Sequence, residues 1–166
     1  MSQYLNFYIR GKDNQFYPIA EYCRSSSYYE AFESYVPSYD GLGAVTERTL
    51  GCIRADVECH IKEEKAFIKN TENHKHDILQ ANNSFEEKMD VICGCDEYIE
   101  ETKDAIEAWE AVDHFIDFLY GILESINYRS EFEGLEDKYL YAAIEPEAHK
   151  DITEITDEER KEWRKW

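Results

Sequence analysis

Cys59, Cys93 and Cys95, with His60 beside the first of them, are the residues of this sequence best suited to holding a metal ion. Zinc takes thiolate and imidazole ligands in tetrahedral sets, usually from pairs spaced two to four residues apart. If two antiparallel helices turned near residue 77, Cys59 and Cys95 would stand at the same level. Cys93 and Cys95, however, are two positions apart, which on a helix rotates them about 200° from each other at ~3.6 residues per turn. Both cannot face one ion. The expectation is therefore three reduced thiols acting as small buried hydrophobes, since free cysteine is among the most buried residue types, with no metal site.

Two carboxylate–histidine pairs invite the same question: Asp56 with His60, and Glu110 with His114. Di-iron helical bundles need a glutamate three residues before the histidine, with further glutamates from two other helices. Here the spacing is four, and each pair reads as solvated or helix-stabilising. His74 and His76 could chelate weakly, as surface histidines do without function. Gly41-Leu42-Gly43 lacks the preceding strand and third glycine of a phosphate-binding turn. No nucleophile, base and orienting group assemble into a catalytic set. The sequence predicts no enzyme and no cofactor.

The remaining chemistry is negative charge. The chain has 37 acidic against 18 basic residues among 166, a formal net charge of −19. Nucleic acid and anionic membrane would both be repelled, so direct binding to either is not expected. A basic protein surface is the partner such a charge suits. Between Glu86 and Glu124, 13 carboxylates face two lysines. Over about 58 Å of helix that is one net charge per ~5 Å, against one per ~1.7 Å of duplex DNA. One helix is thus a thin nucleic-acid mimic. Acids from a neighbouring helix on the same surface, or a homodimer, would thicken it. Glu97, Glu100, Glu101, Asp104 and Glu107 are the candidate partner-binding residues, because they lie mainly off the apolar stripe.

That stripe defines the element which positions them. From Ser84 to about Asn127 the residues Phe85, Met89, Ile92, Ile99, Ile106, Trp109, Ile116, Leu119, Leu123 and Ile126 recur at three- and four-residue steps. One long helix follows, opened by a Ser84/Glu87 capping box. A second helix is predicted from Ala44 to Asn70 on Leu50, Ile53, Val57, Ile61 and Ile68. Residues 70–83 read as the connection, with room for considerable helical content of its own, and the two helices as an antiparallel hairpin of coiled-coil character. After Ala105 the stripe widens through Ala108, Ala111, Val112, Phe115, Phe118 and Ile122, which calls for cover on a second side.

The cover is expected from a small sheet. Tyr4–Ile9 and Gln15–Ala20 flank the turn residues Gly11-Lys12-Asp13-Asn14 and read as a β-hairpin. Pro18 has no N–H for a ladder and assigns its strand to an edge or an end. Ser25-Ser26-Ser27 offers caps for a short helix through Tyr35, closed by Pro37, and 38–43 reads as a loop. Lys138–Ile144 reads as a strand able to join the hairpin. Thr156 and Glu159 form a second capping box, for a C-terminal helix. The predicted fold is α+β and mostly helical: a long antiparallel helical hairpin with a small antiparallel sheet at its open end. It is one domain, with the β-hairpin and short helix in 1–36, the helical hairpin in 44–127 and the strand and last helix in 137–166. Met1-Ser2-Gln3-Tyr4 has no signal-peptide pattern and no apolar run reaches the ~18 residues of a membrane span. A cytoplasmic protein with reduced cysteines is expected.

The opening, Tyr4-Leu5-Asn6-Phe7-Tyr8-Ile9-Arg10-Gly11 through Asn14-Gln15-Phe16-Tyr17-Pro18-Ile19 and then Ser25-Ser26-Ser27, resembles the start of small uncharacterised proteins carried by phages and mobile elements of bacteria. The resemblance covers the first ~35 residues and carries no residue-level role. Among such small acidic proteins are anti-CRISPRs and other inhibitors of host defence, which occupy basic nucleic-acid-binding surfaces. It implies a non-enzymatic inhibitor of a basic bacterial nucleic-acid-binding protein, working in the bacterial cytoplasm. A structural protein that oligomerises through its helical hairpin is the alternative.

Overall fold

The computed structural model describes residues 3–11, 13, 15–36, 42–128 and 135–145. The chain divides into two compact units, one made of residues 1–55 with 114–166 and the other of residues 56–113. The fold is α+β, with a long helical region and a four-stranded antiparallel sheet.

In the first unit the strands are β1 (Tyr4–Gly11), β2 (Phe16–Cys23), β3 (Leu42–Val45) and β4 (Leu135–Glu145), in the order β2-β1-β4-β3. The expected hairpin is β1–β2, and the late strand does join it, on the other side of β1. Pro18 lies on the edge strand β2, where the register slips: Phe7 faces Ala20 but Tyr8 faces Pro18. A bulge on an outer strand is where a residue without an N–H fits.

Sequence reasoning missed β3. By sequence Leu42 and Gly43 read as loop and Ala44 as the start of a helix, whereas Leu42–Val45 pairs with Leu140–Ala143. Four residues are too few for a periodicity to declare itself. The reason for the strand is tertiary: β4 has a free edge to pair, and Leu42 and Val45 become buried on it. The helix α2 (Glu47–Gln80) then begins behind Thr46, whose Oγ1 accepts the Thr49 N–H at 3.2 Å.

Phe7 meets Phe32 of α1 (Ser27–Phe32) edge-on at 5.1 Å, and Phe115 of α3 (Phe85–Tyr128) at 5.2 Å. Tyr22 and Tyr28 stack at 3.9 Å, and both abut Phe115. α1 starts as its serines predict, with Ser26 Oγ accepting the Tyr29 N–H at 3.2 Å. Leu50 and Ile53 of α2 and Ile116, Leu119, Leu123 and Ile126 of α3 complete this core. An Arg54–Asp117 ion pair and a Tyr120 hydroxyl donating to the Glu47 carbonyl at 3.2 Å tie the two helices within the unit. A second cluster, of Tyr8, Phe16, Leu42 and Ala143 with Tyr141 against it, is also buried.

The second unit is the rest of α2 and α3. Both halves of the capping box form: Ser84 Oγ accepts the Glu87 N–H at 3.3 Å and Glu87 Oε2 accepts the Ser84 N–H at 3.2 Å. The connection is far shorter than residues 70–83, because α2 continues to Gln80 and α3 starts at Phe85. Asn73, His74 and His76 are helical: polar side chains signal exposure, and an exposed helix turn looks like a loop in composition. The register changes accordingly. His60 stacks on Trp109 at 4.5 Å, and Lys75 pairs with Asp96. Cys59 is thus level with the Trp109 region, 14 positions or about 21 Å along α3 from Cys95, and the expected Cys59–Cys95 proximity does not occur. Cys95 is buried, but Cys59 and Cys93 are exposed, contrary to their reading as buried hydrophobes.

The Thr156/Glu159 capping box, Pro37 and most of the 38–43 loop lie outside the described residues. Among the described residues, no helix is long and apolar enough to cross a membrane.

Candidate functional site: the outer acidic face of α3

The second unit carries a set of partly or fully buried positions at alternating three- and four-residue steps. On α2 they are Val57, Ile61, Glu64, Ile68, Thr71, Lys75 and Ile78; on α3, Lys88, Ile92, Cys95, Ile99, Thr102, Ile106 and Trp109. This is the heptad seam of a two-stranded antiparallel coiled coil. It is thin on the α2 side, where Glu64, Thr71 and Lys75 hold seam positions.

The seam fixes what faces outward. Glu97 and Asp104 lie diametrically away from it, with Glu100, Glu107 and Glu101 to either side; all five are exposed. Lysines of α2 do not reach them. Lys65 pairs with Glu110 at 3.3 Å and Lys75 with Asp96, both acids on one flank of α3. Within α3, Lys103 Nζ approaches Glu100 at 2.6 Å, and this carboxylate holds the fully exposed Lys103 ammonium above its ordinary pKa. Glu97, Glu101, Asp104 and Glu107 have no ion pair among the described residues. From Glu97 to Glu107 the five carboxylates occupy about 15 Å of axis, one per ~3 Å, which is denser than the helix average. Glu97/Glu101 and Glu100/Asp104 are like-charge pairs at i,i+4, each costing the helix about 0.2–0.5 kcal/mol. A cation placed against this face would relieve that repulsion.

The two flanks of the seam differ in chemistry. On the side of the Lys65–Glu110 pair, the rows at seven-residue steps are Glu58, Lys65, Glu72 and Leu79 on α2, and Met89, Asp96, Lys103 and Glu110 on α3. On the other side they are His60, Phe67 and His74 on α2, and Val91, Tyr98 and Ala105 on α3. This second pair of rows holds no carboxylate, lysine or arginine. Phe67 remains 46% exposed, Tyr98 61% and Val91 39%, too much apolar surface for residues beside a seam. The signal was present in the sequence as the seven-residue recurrence of Val91, Tyr98 and Ala105, and only the register revealed it.

The carboxylate–histidine pairs are not sites. His60 lies flat on Trp109 and Glu110 pairs with Lys65. Among the described residues no three His, Cys, Asp or Glu side chains gather as metal ligands. In the first unit, Glu145 Oε2 accepts from the Tyr8 hydroxyl at 2.5 Å and from the Asn6 amide. Burial first, and then the Glu145 charge, hold the Tyr8 phenol well above its usual range. These partners are separated by more than 130 residues, so nothing in the sequence joins them. No family model, curated protein or solved structure matches the chain.

Proposed function

We propose that the chain is a non-enzymatic interaction protein whose outer α3 face occupies a basic surface of a bacterial nucleic-acid-handling protein and blocks it, in the manner of a phage- or mobile-element-encoded inhibitor. The observation that carries this reading is the outward row of Glu97, Glu100, Glu101, Asp104 and Glu107. All are exposed, and only Glu100 is neutralised by an ion pair among the described residues. Carboxylates held on a rigid helix at ~3 Å spacing present a polyanion to lysines and arginines that otherwise meet phosphates. The source of the partner, and the cytoplasm as the place of action, come from the resemblance of the first ~35 residues.

The test is capture of partners from a bacterial lysate by the wild-type chain and by the quadruple variant Glu97→Lys, Glu100→Lys, Glu101→Lys, Asp104→Lys. Wild-type binding should weaken as salt rises, since the Debye length falls from ~10 Å at 0.1 M to ~3 Å at 1 M. DNA or RNA in excess should compete, and the quadruple variant should lose the partner while keeping its helicity. Binding indifferent to salt and to the four reversals would sink the proposal. The second reading, self-assembly through the helical hairpin, is favoured by one observation of its own: the uncharged flank with Phe67 and Tyr98 half exposed.

A further inference from the structure

Phe67, Val91, Gly94 and Tyr98 are left without an explanation by the fold of a single chain. Gly94 sits inside α3, between Val91 three residues before it and Tyr98 four residues after, on the same side of the helix. A glycine in a helix interior costs about 1 kcal/mol relative to alanine. A Cβ built there would meet nothing within 4 Å, so no neighbour in the chain requires its absence. Beside it lies the apolar flank, the one pair of rows in the second unit that carries no fixed charge.

We infer that this flank is a self-association surface, and that two copies of the chain pair through His60, Phe67, His74, Val91, Gly94 and Tyr98. This rests on the second reading above and is independent of the acidic-face proposal. Three arguments converge on a second copy as the occupant. The first is charge. A chain of net −19 repels itself over most of its surface. An approach centred on rows free of carboxylate turns Glu97, Glu100, Asp104 and Glu107 of both copies away from the contact and leaves Glu101, in the row of Gly94, at its rim. A basic partner would find no counter-charge at the centre of this flank.

The second argument is area. The rows run from His60 to His74 and from Val91 to Ala105, about 21 Å each, or ~30 Å with side-chain reach. Two helices whose axes lie 8–10 Å apart present a face ~20 Å wide. The footprint is then ~600 Å² in projection. Corrugation brings the accessible area near the ~800 Å² per partner of a standard stable interface. The third argument is the pattern. A two-stranded seam needs two apolar rows per helix, whereas a helix inside a bundle carries a third. α3 has that third row in Val91, Tyr98 and Ala105, and Gly94 lets a facing backbone approach closely. Doubling the hairpin would convert a seam thinned by Glu64, Thr71 and Lys75 into a four-helix core.

Sedimentation of the full chain from ~1 to ~100 μM tests this, a range that crosses a Kd near ~10 μM. The expected result is a monomer–dimer equilibrium that tightens as sodium chloride rises, because screening weakens the repulsion between two acidic chains. Phe67→Glu with Tyr98→Glu should abolish the dimer, with helicity by circular dichroism unchanged since both side chains are already half exposed. Gly94→Gln provides an arm that does not depend on those variants folding. Its side chain enters open space within one chain, so it should raise thermal stability while weakening dimerisation tenfold or more. The triple variant Glu97→Lys, Glu100→Lys, Asp104→Lys, which leaves Glu101 in the row of Gly94 untouched, should keep the dimer, and this separates failure here from failure of the acidic-face reading. A monomer at every concentration and salt overturns the inference, as does a dimer indifferent to both flank variants. A monomer that instead forms a heterocomplex sensitive to Phe67→Glu would assign the flank to a foreign partner and equally overturn it.

Discussion

Phe115 is the point at which the first unit is most vulnerable, and Phe115→Ala measures how much of its stability rests on one ring. The side chain is 9% exposed. Five aromatic rings surround it: Tyr22 at 5.0 Å, Phe7 at 5.2 Å, Tyr28 at 5.6 Å, Phe118 at 5.8 Å and Phe32 at 6.3 Å. Truncation to alanine returns roughly 150 Å² of apolar burial, about 4 kcal/mol at ~25 cal/mol/Å². Aromatic pairs, four edge-on and the Phe118 one stacked, contribute about 0.5–1.5 kcal/mol each beyond area, and they do not sum when one ring serves all five. Partial collapse of the site works the other way. A loss of about 4–5 kcal/mol is the result. Phe115→Leu keeps most of the volume and loses only the ring contacts, so it should cost roughly 1.5–2 kcal/mol. The measurement is urea unfolding followed by near-ultraviolet circular dichroism, which reads the Tyr22–Tyr28 stack directly. At a slope of ~2 kcal/mol/M the alanine variant should shift the midpoint by about 2 M. A loss below about 2 kcal/mol, or a leucine variant as damaged as the alanine one, would refute the view of Phe115 as the hub of the cluster.

Trp109→Ala probes the second unit. The indole is 7% exposed and covered by the His60 ring, so its loss should cost about 3–5 kcal/mol, with the lower end expected because a two-helix seam collapses easily. A cost under ~1 kcal/mol would place the side chain at the surface. Ser84→Ala removes one reciprocal bond of the capping box and should lower stability by about 1 kcal/mol, visible as a reduced melting temperature by circular dichroism. An unchanged melting temperature would mean that the Ser84 bond contributes nothing to holding α3.

The long elements were legible because their signals are local. Ser84 and Glu87 announce the start of α3 within four residues, and an apolar repeat of ten positions cannot be read any other way. The β-hairpin and the edge position of Pro18 were legible for the same reason, since turn chemistry and a missing N–H act where they stand. Misreadings came where a residue's state depends on distant chain. Leu42–Val45 is a strand because β4 offers it an edge nearly 100 residues later. The helix boundary at Gln80 is set by packing, since Thr71, Lys75 and Ile78 are seam residues, whereas composition alone reads that stretch as the connection between the helices. That one error displaced the register, and with it the level of Cys59 against Cys95. The five acids are exposed in either register, because facing outward depends on periodicity within α3 alone.

The same geometry explains why the acidic face is left uncompensated in a chain that has lysines nearby. α2 carries Lys62, Lys65, Lys69 and Lys75 within the second unit. Lys65 and Lys75 reach across the seam and stop at the flank acids Glu110 and Asp96. A lysine on the partner helix cannot extend around α3, whose diameter with side chains is ~10–12 Å. Among the described residues only Lys103, on α3 itself, answers any outer acid, and it answers Glu100. Dimerisation through the uncharged flank would leave Glu97, Glu100 and Asp104 pointing away from the contact, with Glu101 at its rim. Among the described residues no further cation answers these acids, so their repulsion persists in monomer and dimer alike. Cations from solution or a basic surface approaching from outside would relieve it. Substituting glutamine at Glu97 and Glu101 would remove the repulsion with no partner present. A helix that gains stability from that change while the protein loses its binding is what a face kept charged for recognition requires.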